Sequence, residues 1–319
     1  MKFYGRITEL KKIEDYKKST LQNGSKILVI TGRRRIGKTR LIIEATKESK
    51  KLYFYVTRKK ITELLKDWTS MIRQKMGDIF FGNFLNLEDM LEFLFQYSQK
   101  IPLTVIFDEF QNFIYSNKES YSVFQKVFDL NKENSSLFMI ISGSSFSLME
   151  RIFKGNKEPL FGRAVDIMEL SYLSLKIQAK FLQDQNLQTD KDKIFLFTVF
   201  DGVPKYLEEV NEVSGNSFKT ILKKIITEKD WIWEEGEMIL KEEFGKDYAS
   251  YFSIMSAIAK GRRILSEIEQ YSGINDATIY LQRLERIYRL IERRKPITEI
   301  ENSKSRKGLL LPLQTNLIV

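Results

Sequence analysis

The sequence predicts a layered α/β domain with a largely parallel sheet, followed by helical units. Short apolar runs rich in β-branched residues alternate with helix-period segments over residues 1–172. The first of these runs ends in a glycine-framed loop that opens directly into a helix. From Ser174 to about Phe244 no comparable strand pattern recurs, and helical spacing takes over.

Taken in order, KILVIT at Lys26 to Thr31 reads as the first strand, and RLIIEATKE, with Leu41, Ile42 and Ala45 at helical spacing, as the helix after it. LYFYV, Leu52 to Val56, is a second buried strand. Helices follow over Ile61 to Met76, which is amphipathic, and over Leu87 to Lys100, closed by Pro102. Leu103 to Phe110 is a third apolar run in which acids arrive as it ends. Leu137 to Gly143 is a fourth and Ala164 to Leu170 a fifth. Residues 173–246 read as a small helical domain, with KIQAKFLQDQ and DKIFLFTVF separated from later helix by the GVP at Gly202 to Pro204. Residues 247–319 read as three short helices broken at Gly261 and at Gly273 to Asn275, then a basic RRKP turn and the IT and LLLPL segments as strands of a wing.

Composition narrows the chemistry. The 319 residues are 43% hydrophobic and 29% charged, the balance of a globular protein. No apolar run approaches the ~20 residues of a membrane helix, and MKFYGRITELKK lacks a signal-peptide core. A cytoplasmic chain without a membrane partner is expected. Cysteine and histidine are both absent. This excludes disulfides, thiolate or imidazole metal sites, cysteine nucleophiles and histidine bases. Catalysis must rest on carboxylates, lysine, arginine, hydroxyls, backbone amides and a borrowed metal ion. Fifty-two Lys plus Arg against 42 Asp plus Glu give a net charge of +10, which suits polyanionic partners or a solvated basic surface.

Gly32-Arg33-Arg34-Arg35-Ile36-Gly37-Lys38-Thr39 matches GxxxxGK[ST] in its required context, a strand before and a helix after. Gly32 and Gly37 let successive amides turn inward as a nest for phosphate oxygens. The residues between them contribute mainly their N–H groups, and Arg40 lies in the first helical turn. Lys38 supplies a charge between β- and γ-phosphates, and Thr39 a hydroxyl for Mg²⁺. The side chains of Arg34 or Arg35 are candidates for coupling nucleotide state to domain position. Asp108, at the end of the third strand, is placed to hold the Mg²⁺ shell, and Glu109 to polarise an attacking water. Ser142, Ser144 and Ser145 follow the fourth strand, either between these acids and a γ-phosphate or as a turn and helix cap. Arg163, just before the fifth strand, either reaches a phosphate, its own or a neighbouring protomer's, or forms a surface ion pair. In the last helical pattern, Ala277 to Arg294, Leu281, Leu284, Ile287 and Leu290 form a core stripe. Gln282, Arg283, Arg286 and Arg293 then face solvent or DNA.

In this order the boxes resemble the archaeal-type STAND ATPases of the AAA+ superfamily. The resemblance spans Phe3 to Lys307 and runs through FYGRITEL, GRRRIGKT, FDEFQ, SGSS, PLFGR and GVP. It implies a P-loop AAA+ core with a parallel five-stranded sheet in the order 5-1-4-3-2, a helical lid and a C-terminal winged helix. It implies ATP or ADP with Mg²⁺ as ligands, with adenine contacts at Phe3, Tyr4, Gly5 and Arg6 and further nucleotide-pocket residues at Gly202 and Pro204. Ser142 or Ser144 then senses the γ-phosphate, and Arg163 acts as a finger in cis or trans. Such a protein is a slow ATPase switch, whose readout is DNA bound through the winged helix, a homo-oligomer or a protein partner. Family members commonly continue into a further domain, whereas SRKGLLLPLQTNLIV ends this chain, so a natural truncation or a reading-frame change at the C-terminus is the expectation.

Overall fold

The computed structural model describes residues 2–77, 82–186, 189–212, 218–228, 238, 240–241, 243–288, 290–294 and 309–312. The chain divides into two units: one is Phe3–Ser171, the other Tyr172–Val319 together with Met1–Lys2.

In the first unit, α1 (Ile7–Asn23) precedes β1 (Lys26–Thr31), α2 (Lys38–Ala45), β2 (Lys51–Tyr55), α3 (Ile61–Met76) and α4 (Leu87–Lys100). There follow β3 (Leu103–Asp108), the short α5 (Phe113–Ser116), α6 (Ser120–Asn131), β4 (Leu137–Gly143), α7 (Phe146–Lys154) and β5 (Ala164–Glu169). The five strands form one sheet in the order β2-β3-β4-β1-β5, the expected 5-1-4-3-2 order read from the other edge, and every pairing is parallel. β3 and β4 are buried at every position and β1 at all but its first. Helices cover both faces of such a sheet, so its strands are continuously apolar rather than alternating. A parallel sheet also delivers all its strand ends to one edge. The loops after β1, β3 and β4 therefore gather on that edge, although they are far apart in sequence.

Beneath that edge lies an aromatic core. Phe107 and Phe110 both pack against Phe124, with ring centroids 5.0 Å apart and near-perpendicular planes. Phe54, Trp68 and Phe113 extend the cluster. Phe107 and Phe110 flank the two acids in sequence, so burial of their rings fixes the turn that carries Asp108 and Glu109. That turn also ends the strand two residues before the third apolar run does. Glu109 takes a left-handed conformation (φ 56°), and Phe110–Asn112 is a tight helical turn.

In the second unit, α8 (Leu175–Asp184), α9 (Asp190–Phe200), α10 (Pro204–Glu212) and α11 (Phe218–Glu228) are helices. Thr189 caps α9, its hydroxyl accepting from the Asp192 amide. Gly202 adopts φ 77°, and a side chain there would collide with the Leu173 carbonyl. Pro204 opens α10, where its missing N–H costs nothing. Further along are α12 (Tyr248–Ala259), α13 (Leu265–Ser272) and α14 (Thr278–Arg286), packed through Tyr251, Ile254, Ile258, Ile268, Leu281 and Leu284.

The last helical pattern requires correction. α14 stops at Arg286, and Ile291–Arg294 is instead strand β6, paired antiparallel with β7 (Leu309–Pro312). The amides of Tyr288 and Leu290 donate to the carbonyls of Arg283 and Leu284, bonds that close a helix rather than lengthen it. Ile287 is consequently 42% exposed rather than part of the core stripe, and Arg293 sits on a strand beside Glu285. The IT segment and, apart from β7, the C-terminal stretch on which the truncation was read lie outside the described residues.

Candidate functional site

β1 delivers the chain into the glycine-framed loop. Gly32 has φ 147°, and a Cβ there would stand 2.9 Å from the Leu170 carbonyl oxygen, so the loop turns only as glycine. Arg35 (φ 64°) and Gly37 (φ 90°) are also left-handed, which swings the backbone between them around one centre. The Lys38 ammonium is buried there, donating to the carbonyls of Gly32 (2.8 Å) and Arg33 (3.0 Å). α2 begins at this lysine, so its first-turn amides point into the loop, an arrangement that favours an anion. Around the rim, Arg33, Arg35 and Arg40 are half-buried and Arg34 is exposed.

Arg6 holds the loop from behind. Its guanidinium donates to the carbonyls of Ser171 (2.5 Å) and Ile36 (3.3 Å) and pairs with Glu9 at 3.0 Å. It thereby ties the phosphate loop to the chain leaving β5. Of its neighbours, Tyr4 is buried, Phe3 is half-buried and Gly5 is left-handed.

Asp108 is 2% exposed and accepts from four donors. Oδ2 takes the Thr39 hydroxyl at 2.9 Å and the Tyr53 hydroxyl. Oδ1 takes the Ser142 hydroxyl at 2.5 Å and the Glu109 amide at 3.0 Å. A buried carboxylate is tolerable only when so satisfied. Burial first, and then its bond to Asp108, pushes the Tyr53 phenol well above its ordinary value, so the proton stays on the donor.

Glu109 points to the same region. Its Oε2 accepts from the Ser144 hydroxyl at 2.7 Å and from the Gln111 side-chain amide. Gln111 is 5% exposed and packs over Gly143, whose missing side chain leaves it room. Ser142 and Ser144 thus each bond one of the two acids, and Ser145 is the N-cap of α7 by position, with no side-chain capping bond.

Arg163 lies elsewhere, and this corrects its cis role. Ala164, the next residue, pairs with Ile27 near the start of β1, whereas the phosphate loop leaves β1 after Thr31. Five residues at ~3.3 Å each place it about 17 Å away, on the opposite sheet edge. Its guanidinium instead forms an ion pair with Asp129 at 2.7 Å and donates to the Phe161 carbonyl. Gly202 and Pro204 belong to the second unit, at the start of α10.

Among the described residues no three acidic, histidine or cysteine side chains cluster as a metal cage. Thr39 and Asp108 nevertheless offer hard oxygen atoms 2.9 Å apart beside the phosphate loop. They fit Mg²⁺, which is ordinarily held by one or two protein oxygens, phosphate and water. Tyr53 was not legible as a site residue from motifs, and Gln111 was visible only as the last residue of FDEFQ. The faint signal for Tyr53 was a polar tip on the half-buried face of an otherwise apolar strand.

A family model described as an ATPase domain predominantly from Archaea matches residues 3–210. An uncharacterized protein of Methanocaldococcus jannaschii is 31% identical over 308 residues, 96% of this chain. The chain spans 65% of the length of that relative. The solved Walker-type ATPase of Pyrococcus abyssi superposes with a TM-score of 0.71 at 21% identity, over 91% of each chain, which shows a shared fold.

Proposed function

Because the chain belongs to the family of ATPase domains found predominantly in Archaea, we propose that it is a Mg²⁺-dependent, ATP-binding and slowly ATP-hydrolysing switch of the STAND type. Nucleotide state in this reading sets the arrangement of a helical lid, residues 173–246, and a winged helix, residues 247–319. The observation that carries it is the 2.9 Å hydrogen bond from Thr39 to Asp108, which joins the phosphate loop to the acidic end of β3.

Lys38 exchanges two neutral carbonyls for the β- and γ-phosphate oxygens, a charge-assisted and therefore stronger pairing. The loop amides and the first turn of α2 cradle the remaining phosphate oxygens. Thr39, with Asp108 behind it, would hold Mg²⁺, which would supply neutralising charge to the phosphates. Glu109 orients the attacking water. Ser144 and Gln111 occupy its Oε2, and among the described residues no donor meets its Oε1, the oxygen left to accept from water. Ser142 or Ser144 senses the γ-phosphate in this reading. Phe3 to Arg6 contribute nucleotide contacts from the first unit in this reading. The finger role of Arg163 is retained only toward a neighbouring protomer's nucleotide. Replacing Lys38 with alanine tests the reading by equilibrium binding: ATP affinity is lost, and retained affinity would reject it.

A nucleotide-regulated DNA-binding protein is a second reading, favoured by Gln282, Arg283 and Arg286, which are all exposed on α14. It predicts duplex binding that weakens with salt and falls when Arg283 and Arg286 are replaced together. A gel shift at two salt concentrations decides it.

A further inference from the structure

Tyr53 contacts the acidic centre from β2, outside every phosphate-loop and acidic motif of the sequence. β2 runs parallel beside β3 with Tyr53 opposite Ile106. Its side chain therefore leaves the sheet on the face that carries Asp108 two residues further on, and the ring reaches across diagonally. There its hydroxyl meets Oδ2, the same oxygen that accepts from Thr39.

The consequence follows from counting acceptor sites. An ionised carboxylate has about four lone-pair positions, and Asp108 fills them with four donors, two on each oxygen. Three come from groups whose positions are set by other needs: the backbone amide of Glu109, the phosphate-loop Thr39, and the fully buried Ser142. The terminal torsion of an aspartate is broad and soft. Without the phenol, Oδ2 would be held by Thr39 alone, and the Thr39 oxygen is itself the atom a metal must use.

We propose that Tyr53 is a positioning residue for the Mg²⁺ site, locking the Asp108 carboxylate in the rotation that accepts from the Thr39 hydroxyl and so holds the Thr39 oxygen toward the metal. This rests on the Mg²⁺–nucleotide reading of the site. Outer-shell partners that orient a metal's ligands typically contribute about 10–100-fold in metal affinity.

Tyr53→Phe removes the hydroxyl and keeps the ring. Magnesium chloride is titrated into full-length protein with a fluorescent ADP analogue, and the analogue is titrated separately in EDTA. Tyr55→Phe, at a 51% exposed position of the same strand, serves as the control. The expected result for Tyr53→Phe is a half-saturating Mg²⁺ concentration raised by about 10-fold, with nucleotide affinity in EDTA unchanged. An unchanged Mg²⁺ requirement overturns the proposal. So does an equal loss of affinity in EDTA, which would make Tyr53 a structural support only. If the unsubstituted chain shows no Mg²⁺-dependent binding, the reading of the site fails and the proposal with it, and that outcome is visible before any variant is compared.

Discussion

Asp108 combines deep burial with a strongly polar carboxyl group, and its four donors are what reconcile the two. Exchanging one carboxylate oxygen for an amide turns an acceptor into a donor that faces donors on either side. Asp108→Asn is therefore expected to lose about 1–3 kcal/mol of stability in urea unfolding as well as Mg²⁺ dependence. At Gly143, an added methyl would press on the Gln111 side-chain oxygen and on Met149. Gly143→Ala should lower turnover through Glu109 while leaving ATP affinity in place, as steady-state kinetics beside equilibrium binding would show. The phosphate loop was legible in the sequence because its constraint is local: glycines, lysine and threonine must fall at fixed spacing along one turn. Tyr53 was not legible, since its contact depends on which strand lies beside β3 and in what register. Gln111 was visible as part of FDEFQ, but its bond to Glu109 depends on the left-handed turn at Glu109.

At the level of elements, the exit of β3 is held by packing rather than by hydrogen bonds alone. Phe110 is fully buried and touches the rings of Phe107, Phe113, Tyr121, Phe124 and Phe153. Phe110→Ala is predicted to cost about 3–5 kcal/mol by denaturant unfolding. Phe110→Leu, which refills most of the volume, should recover part of that stability and of the ATPase rate. The β1, β3 and β4 runs were readable because a doubly covered parallel strand is apolar at every position. The end of α14 was not readable. Ile287 and Leu290 continue the helical period by coincidence, and only the amides of Tyr288 and Leu290, bonded back to Arg283 and Leu284, show that the chain has turned. Arg163 had two readings in the sequence, a phosphate contact or a surface ion pair, and the topology separates them, because the start of β5 and the end of β1 lie on opposite edges of the parallel sheet.

Across the whole molecule, the basic balance of +10 and the two units raise the question of what a nucleotide would control. The family match covers residues 3–210, and the C-terminal helices and the β6–β7 pair lie beyond it. The central claim is that nucleotide binding and hydrolysis separate at Glu109, with Lys38, Thr39 and Asp108 binding and Glu109 driving the attack of water. The most direct measurement is ATP binding and phosphate release in Glu109→Gln, which keeps the shape and removes the charge. The predicted result is ATP bound as tightly as by the unsubstituted chain, with phosphate release reduced by about 100-fold or more, the scale of a lost general base. Undiminished phosphate release from that variant would contradict the account.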